Sequence, residues 1–404
     1  MRKVTIIFTL LSISILFSAC YAWRGVRWYT ADLEDVNLFD AVKIEKSTQA
    51  FEFKSGKAKE SNNAYRLDTL LEGTNTVAFI VIRNDSILYE SYWEGYQADS
   101  KIPSFSVAKS FVSTLVGIAV DEKKIKGTDE SITNYIPELL ELGTEYQKIT
   151  IQDCLDMSSG LDNGENYDGI NVFRQMVRMY YGTNLEKEVF KSKIKTARGE
   201  FNYQSINTQV LGMVVERATG KRLYEYLQEK IWQPLGMEHD ASWSVDSKKR
   251  KTVKAFAALN AAPIDFAKLG RLFLNKGDWN GQQIISKEWV ETTTNPDTLH
   301  KYHYKNQWWS SYLNRVYTDS LEAIQYKKEN LQTTRMISRN GLHWFKDYGK
   351  IYQAEGILGQ FIFVRPDKNL IIVRMGDYSK KRIKADKYER HWMNGFLGYV
   401  SKIY

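Results

Sequence analysis

The chain has 404 residues, of which 43% are hydrophobic and 13% aromatic, and it carries a formal net charge of +8 at pH 7. This composition excludes a disordered or fibrous protein and is sufficient for one large domain or two intimately packed ones. Lysine and arginine residues are scattered, and the two densest runs, at 247–251 and 379–384, are typical of solvated surface.

Residues 1–20 have the pattern of a secretory signal, with a basic start at Arg2 and Lys3 and an apolar stretch over 4–17 that is short for a membrane span. The ending "FSAC" resembles a bacterial lipobox, which predicts Cys20 as the lipidated first residue of the mature protein. An uncleaved anchor is the alternative. We therefore expect export to the bacterial cell envelope, facing the periplasm, with attachment to the membrane through a lipid anchor and no nucleic-acid partner.

The first elements after the signal are predicted from polarity and periodicity. Residues 21–60 are polar with few structural signals and are predicted to form a tether and an entry segment. Two β-rich runs over 76–93 surround the turn sequence "RNDS" and predict a hairpin. The almost unbroken apolar run over 106–120 then predicts a buried helix.

The middle of the chain is rich in helical patterns. A capping-box sequence at Thr150 and Asp153 starts a helix in "KITIQDCLDMSSGL", with Gly160 as a left-handed cap. The further predicted elements are helices over 207–220, 265–277 and 390–404 and a second hairpin that turns at 366–369.

The two predicted hairpins pair most simply in one antiparallel sheet, with the helix-rich middle beside it. The predicted fold class is therefore α/β (α+β): an antiparallel β-sheet flanked by helices plus an all-helical region. Residues 61–404 are predicted to form one domain, with the sheet region at about 61–125 and 251–404 and the helical region at about 126–250.

The sequence "SVAK" places Ser106 three residues ahead of Lys109, so both side chains lie on one face of the predicted helix. A lysine with a reference pKa of about 10.4 is a poor base at neutral pH, but burial lowers the pKa because it disfavours the charged form. At the start of a helix, Ser106 also offers an unpaired backbone N–H to an oxyanion. A lysine that reaches out to solvent is the alternative.

The same spacing recurs at Ser192 and Lys195, in the lysine-rich sequence "KSKIKTARGE". No apolar helix follows this second pair, so we interpret it as surface. The spacing alone is a weak indication, and only Ser106 and Lys109 have the setting that nucleophilic catalysis needs.

A proton relay is predicted in "FNYQSINTQVLG", where Tyr203 and Ser205 precede a helix. Tyr203 is the candidate shuttle between the serine and the leaving group, and Ser205 is its hydrogen-bonding neighbour at the substrate. A buried tyrosine with a satisfied hydroxyl is the alternative. A rival pattern occurs at Tyr304 and Asn306.

Gly356 and Gly359 are predicted to open the strand of the late hairpin in "AEGILGQFIFVRP". Glycine allows a ligand or another backbone to approach a strand closely. Gly356 is therefore a candidate for substrate binding, and the backbone N–H of Ile357 is a candidate donor of an oxyanion hole. A glycine bend at a sheet edge is the alternative.

In this order, "SVAK", "YQS" and the glycine-bearing strand resemble the serine β-lactamase and penicillin-binding-protein superfamily. The resemblance is to its class C-like branch, and within it to the aminohexanoate-dimer (nylon-oligomer) hydrolases and related esterases. It implies an active site in the cleft between the sheet region and the helical region. It also implies Ser106 as nucleophile, Lys109 as base, Tyr203 as proton relay and the N–H groups of Ser106 and Ile357 as the oxyanion hole.

One departure from the superfamily bears on the substrate. Where β-lactamases and D-alanyl-D-alanine peptidases carry Lys-Thr-Gly or His-x-Gly, this chain has Ala354-Glu355-Gly356, so a cation that holds a substrate carboxylate is missing. We therefore expect an exported serine hydrolase that cleaves a small-molecule or short peptide-like amide or ester. The alternatives are a D-alanyl-D-alanine peptidase or class C-like β-lactamase, and a catalytically silent lipoprotein that binds peptides or cell-wall fragments.

Other chemistries lack a pattern in this sequence. It has no Gly-x-Ser-x-Gly elbow, no phosphate-binding glycine loop and no His-Glu-x-x-His motif, so we predict no metal and no other cofactor. Trp308 and Trp309 are candidates for lining an apolar substrate cleft, although adjacent tryptophans are as often one core and one surface residue. Cys154 is expected to be a buried small residue.

Overall fold

The computed structural model describes residues 31–56, 67–69, 71–165, 174–295, 303–317, 319–329, 334–339, 342–378 and 389–404. The predicted signal and the predicted lipidation site Cys20 lie outside these ranges. Within them, none of the helices combines the length and the apolar character that crossing a bilayer requires.

Most strands belong to one large sheet. In chain order the strands are β1 (Ala41–Ile44), β2 (Lys54–Ser55), β3 (Thr76–Arg83), β4 (Ser86–Tyr92), β5 (Ile102–Pro103), β6 (Leu161–Asp162), β7 (Lys193–Ile194), β8 (Ala241–Ser244), β9 (Leu259–Ala261), β10 (Asp278–Trp279), β11 (Gln282–Gln283), β12 (Tyr304–Lys305), β13 (Trp308–Tyr317), β14 (Thr334–Arg339), β15 (Leu342–Gly356), β16 (Gln360–Arg365) and β17 (Leu370–Gly376). In the described residues the large sheet has nine strands in the order β12-β13-β15-β16-β17-β3-β4-β2, with β14 paired to β15. A smaller sheet has the order β1-β8-β9-β5.

Helices cover the large sheet and fill the region beside it. In chain order they are α1 (Ala108–Asp121), α2 (Ile151–Leu155), α3 (Gln175–Tyr181), α4 (Leu185–Val189), α5 (Ile206–Thr219), α6 (Leu223–Leu227), α7 (Pro263–Leu274), α8 (Lys287–Thr294), α9 (Ser320–Glu329) and α10 (Glu389–Ile403). Short 3-10 turns at Phe105–Val107 and Ile357–Gly359 adjoin the site described below.

Both predicted hairpins are present. Asn84 and Asp85 connect β3 to β4 with φ angles of 51° and 56°, the left-handed conformation of a tight hairpin turn. A turn at Pro366–Lys368 and a left-handed Asn369 connect β16 to β17. Because β17 pairs antiparallel with β3, the two hairpins share one sheet, and the predicted fold class is confirmed.

The position of strand β3 in the sheet explains its apolar run at 77–82. Ile80 and Ile82 belong to the larger core cluster, which includes side chains of α1 and α7, whereas Phe79 and Val81 belong to a second cluster with α10. Successive side chains of a strand point to opposite faces, so both faces of this central strand are covered.

The described part of the predicted tether, residues 31–56, packs on the domain. Strand β1 pairs with β8, and Leu33, Ile44 and Phe53 are buried. The tether prediction is therefore corrected for these residues. Their apolar side chains are too widely spaced to show a period, but each one fills a separate position in the core.

Two predicted helices differ from the observed ones at their ends. The helix predicted from residue 106 starts as the 3-10 turn Phe105–Val107 and becomes α-helical at Ala108. The capping box of Thr150 and Asp153 is present, but α2 ends at Leu155, well before Gly160, because Met157 has a φ of 57°.

Candidate active site

The structure brings the predicted pair together at the start of α1. The Lys109 Nζ atom donates hydrogen bonds to Ser106 Oγ at 2.9 Å and to the Phe256 carbonyl oxygen at 2.8 Å. Lys109 is 1% exposed, so it does not reach solvent. Burial lowers the pKa of Lys109 to about 8, against the opposing effect of the Glu165 charge. A lysine with this pKa can lose its proton near neutral pH and then accept one from a hydroxyl.

The residue before the serine has a strained backbone. Phe105 has a φ of 44°, which is in the left-handed region, and its side chain is buried. Such conformations cluster at active sites, where the surrounding structure enforces them. This strain is not evident from the sequence, because the position is not a glycine.

A turn of the large sheet lies directly against the serine. Strand β15 ends at Gly356, and the 3-10 turn Ile357–Gly359 leads into β16, so the glycines flank a turn and do not open a strand as predicted. A Cβ atom added to Gly356 would lie 2.5 Å from the Ser104 carbonyl oxygen and 3.2 Å from the Ser106 nitrogen. The two predicted oxyanion donors, on Ser106 and Ile357, therefore come from adjoining segments.

The ring of Tyr203 lies beside the amine of Lys109. Its ring centroid is 5.2 Å from Lys109 Nζ, and the ring stacks on Trp309 with a centroid separation of 5.8 Å and an interplanar angle of 23°. Tyr304, the rival tyrosine, packs edge-on against Tyr203 at 5.8 Å and is 3% exposed. Both tyrosine patterns thus belong to one aromatic cluster, in which Tyr203 adjoins the lysine.

The two adjacent tryptophans have different environments. Trp308 is 1% exposed and packs on Phe273 and Tyr352, with ring centroids 4.3 and 5.8 Å away. The structure therefore does not bring Trp308 to the site, and the prediction that both tryptophans line a cleft is corrected for this residue. Alternation along β13 explains the difference, because neighbouring residues face opposite sides.

Ser205 is buried and binds an acid that sequence reasoning missed. Its Oγ donates to Glu165 Oε1 at 3.0 Å, and its backbone N–H also donates to the Glu165 carboxylate. Ser205 is thus buried and bonded to protein, and it does not lie on an open substrate surface as predicted. Glu165 is one of three acids in the polar stretch 162–168, so only its position in the fold identifies it.

A buried glutamine connects α1, which carries Lys109, to α5, which begins three residues after Tyr203. Ser110 Oγ of α1 donates to the Gln307 backbone carbonyl at 2.9 Å, and Thr208 Oγ1 of α5 donates to Gln307 Oε1 at 2.7 Å. The Gln307 amide in turn donates to the Cys154 carbonyl at 2.9 Å. These bonds fix the separation of α1 and α5, and therefore of Lys109 and Tyr203.

The remaining candidates are not at the site. Lys195 is half-exposed and pairs with Asp162 at 3.0 Å, as expected for surface, but Ser192 is buried, which corrects its assignment. Cys154 is buried, and burial raises the pKa of its thiol. In the part of the chain that the structure describes, no group of three or more His, Cys, Asp and Glu residues is placed to hold a metal ion.

Several known proteins have sequences similar to this chain. The family described as "Beta-lactamase" matches residues 66–390. The 6-aminohexanoate-dimer hydrolase of Paenarthrobacter ureafaciens is 33% identical over 237 residues, which cover 56% of this chain and 59% of that protein. A putative D-alanyl-D-alanine carboxypeptidase of Escherichia coli (strain K12) is 24% identical over 187 residues, 41% of this chain and 43% of that protein. The matches thus span less than two thirds of either relative.

Solved structures show the same fold over most of the chain. A putative 6-aminohexanoate-dimer hydrolase from Bacillus anthracis aligns with a TM-score of 0.70 and 21% identity, covering 94% of both chains. A class C beta-lactamase aligns with a TM-score of 0.55 and 17% identity, covering 86% of this chain and 97% of that one.

Proposed function

The chain belongs to the beta-lactamase family of serine hydrolases, and we propose that it is an exported enzyme that cleaves an amide or ester through an acyl-enzyme on Ser106. The observation that carries this proposal is the 2.9 Å contact between Lys109 Nζ and Ser106 Oγ. A buried lysine with a lowered pKa is the kind of base that activates a serine hydroxyl.

The proposed reaction has two halves. Neutral Lys109 accepts the hydroxyl proton while Ser106 Oγ attacks the substrate carbonyl carbon, and the N–H groups of Ser106 and Ile357 stabilise the oxyanion. The carbon–nitrogen or carbon–oxygen bond then breaks, and Tyr203 passes a proton to the leaving group. In the second half the same groups take a proton from water as its oxygen attacks the acyl carbon. The bond between the acyl carbon and Ser106 Oγ then breaks, and the proton returns to Oγ.

The proposed substrate is a small or short peptide-like amide or ester without a carboxylate beside the scissile bond. At the end of β15 that leads into the turn, Ala354 is buried and Glu355 is an acid, so these two positions supply no cation. A carboxylate next to Glu355 would be repelled. This argument makes a β-lactam or a D-alanyl-D-alanine terminus a poorer substrate.

We also propose where in the cell the enzyme is located. Lipidation at Cys20 would hold the enzyme at the bacterial cell envelope, on the periplasmic side of a membrane. Cell fractionation with radiolabelled palmitate tests this part. We expect label and membrane attachment in the parent and neither in a Cys20→Ser variant, whereas an unlabelled but membrane-bound parent would favour an uncleaved anchor.

The function is tested by intact mass after exposure to p-nitrophenyl acetate, with product release followed by absorbance. We expect an acetyl adduct or a burst in the parent and neither in Ser106→Ala. Ser113→Ala is the matched control, because Ser113 is a buried α1 serine whose hydroxyl has no hydrogen-bond partner among the described residues. Equal background rates in all three proteins would instead favour a silent binding lipoprotein, and a stable penicilloyl adduct would favour a penicillin-binding enzyme.

A further inference from the structure

A buried arginine lies behind the turn that carries Ile357. Arg374 is on β17 and is 0% exposed. Its Nη1 atom donates to the carbonyl oxygens of Leu358 at 3.0 Å and Gly359 at 2.6 Å. Its Nη2 and Nε atoms donate to the Thr74 carbonyl at 3.0 Å and to Thr76 Oγ1 at 3.1 Å. One side chain thus joins the turn to β17 and to the start of β3.

The surroundings of this guanidinium are unusual for a buried cation. The four acceptors named above are neutral oxygens, three carbonyls and one hydroxyl. Removal from water lowers the pKa of Arg374 to about 10, against weaker effects of Tyr378 and Asp377. Burial of a charge without a closely matched opposite charge is costly. Packing alone would be served better by an apolar residue, so the position needs another explanation.

The turn itself is the feature that requires support. Leu358 has a φ of 65°, a left-handed conformation that a leucine rarely adopts without external restraint. Gln360 Nε2 donates to the Ile357 carbonyl at 3.2 Å. Together with the two bonds from Arg374, each of the three carbonyl groups of the turn therefore accepts a hydrogen bond from a buried side chain.

Two glycines leave space for this arrangement. A Cβ atom on Gly359 would collide with Arg374 Nη1, and one on Gly376 would lie 2.6 Å from Nη2. Gly359 also has a φ of 90°, which disfavours other residues. Glycine at these two positions therefore leaves the room that the Arg374 guanidinium occupies behind the turn.

We propose that Arg374, together with Gln360, is a positioning residue that aims the Ile357 N–H at the oxyanion. The inference rests on the proposed function, since it assumes an acyl-enzyme on Ser106. The Ile357 N–H shares its peptide plane with the Gly356 carbonyl, so these bonds act on it indirectly. They fix the three peptide planes that follow Ile357 and thereby limit rotation of the segment that carries this N–H. A preorganised donor of this kind stabilises charge that develops only in the transition state, so its loss affects kcat more than KM.

The test compares Arg374→Lys and Arg374→Met with Arg365→Lys and Arg365→Met, all in the full-length protein. Arg365 is a buried arginine on β16 whose Nη1 atom donates to the Ser401 carbonyl at 3.1 Å and to Ser401 Oγ at 3.0 Å, away from the turn. Burst kinetics with p-nitrophenyl acetate give kcat and KM. Difference infrared spectra with a carbon-13 carbonyl label give the stretching frequency of the acyl carbonyl, which rises when oxyanion donors move away.

We expect kcat to fall by about 10- to 100-fold in Arg374→Lys and further in Arg374→Met, with KM within a fewfold and a higher carbonyl frequency. The Arg365 variants should be less stable, but their kinetics and their acyl carbonyl frequency should match those of the parent. If Arg374→Met fails to fold, kcat and the acyl carbonyl frequency of Arg374→Lys and Gln360→Met test the inference instead.

Acylation of Ser106 in the parent with unchanged kcat and frequency in the folded Arg374 and Gln360 variants would overturn this inference alone. A parent that is not acylated would overturn the proposed function and this inference with it.

Discussion

The two walls of the proposed catalytic cleft are built in different ways. One wall, the helix wall, consists of Ser106 and Lys109, which lie within a single helical turn and contact each other directly. The other, the turn wall, is the segment Ile357–Gly359, whose carbonyls are held by Gln360 and by Arg374 from a neighbouring strand. A reactive pair can thus be encoded in four residues, whereas a charge-stabilising wall depends on residues far apart in the chain.

Removing the base would break the helix wall and should have the largest effect. We expect Lys109→Met to reduce kcat by about 10³- to 10⁴-fold, because Ser106 would lose its proton acceptor. Lys254→Met is the control, since Lys254 is also a buried lysine and its amine donates to the Val245 carbonyl at 2.8 Å, outside the site. Steady-state hydrolysis of a nitrophenyl ester measures both. Comparable activity in the two variants would refute the role of Lys109.

Forcing the walls apart should have the next largest effect. A methyl group at Gly356 would lie 2.5 Å from the Ser104 carbonyl oxygen, so Gly356→Ala must displace the turn wall from the helix wall. We expect kcat to fall by about 10²- to 10³-fold, as when one oxyanion donor is lost. Gly398→Ala in α10 is the control, because nothing in the described part of the chain, its own helix backbone and chain neighbours apart, lies within 4 Å of the added methyl group. Activity retained in Gly356→Ala would show that this close approach is not needed.

The dependence of kcat/KM on pH should distinguish the role of the helix wall from that of the turn wall. Because Lys109 must be neutral to act as a base and its pKa is about 8, kcat/KM should rise with pH and level off above that value. The Glu165 charge raises the pKa of Lys109, so Glu165→Gln should move the profile to lower pH. Arg374→Lys should lower the rate at every pH and leave the midpoint unchanged. A Glu165→Gln profile that moves to higher pH would contradict the assigned electrostatics.

Substitution of Trp308 and of Trp309 should distinguish a residue that packs the core from one that contacts the site. These changes should have the smallest effect on the rate of hydrolysis. Trp308 is fully buried against Phe273, so Trp308→Ala should lower the free energy of unfolding by about 3–5 kcal/mol. Trp309 is only partly buried and stacks on Tyr203, so Trp309→Ala should cost less stability and change KM. Urea denaturation and steady-state kinetics measure the two effects, and the opposite ranking of stabilities would be inconsistent with the observed packing.

Local patterns account for what the sequence could predict. The hairpins, the capping box at Thr150 and the pair of Ser106 and Lys109 each depend on residues only a few positions apart. Two glycines mark the segment of Ile357 in the sequence, but the strand predicted there is wrong, because nothing local shows that β15 already ends at Gly356.

The residues that the sequence did not reveal depend on distant neighbours. Arg374 resembles an ordinary strand arginine in "IIVRMG", because its acceptors lie at Thr74, Thr76 and in the Ile357–Gly359 turn. Glu165 is one acid in a polar loop and acquires a role only through its bonds to Ser205. Such positions can be recognised only after the strand register is known.

The pairing of β3 with β17 also governs how the protein reaches its folded state. Arg83 lies opposite Leu370, so the centre of the large sheet joins segments from opposite ends of the polypeptide. This contact has very high sequence separation, which slows folding and prevents an N-terminal fragment from completing the sheet. The emerging chain therefore remains incompletely folded until nearly all of it has been synthesised. A polypeptide in this state can still pass in extended form through a narrow channel.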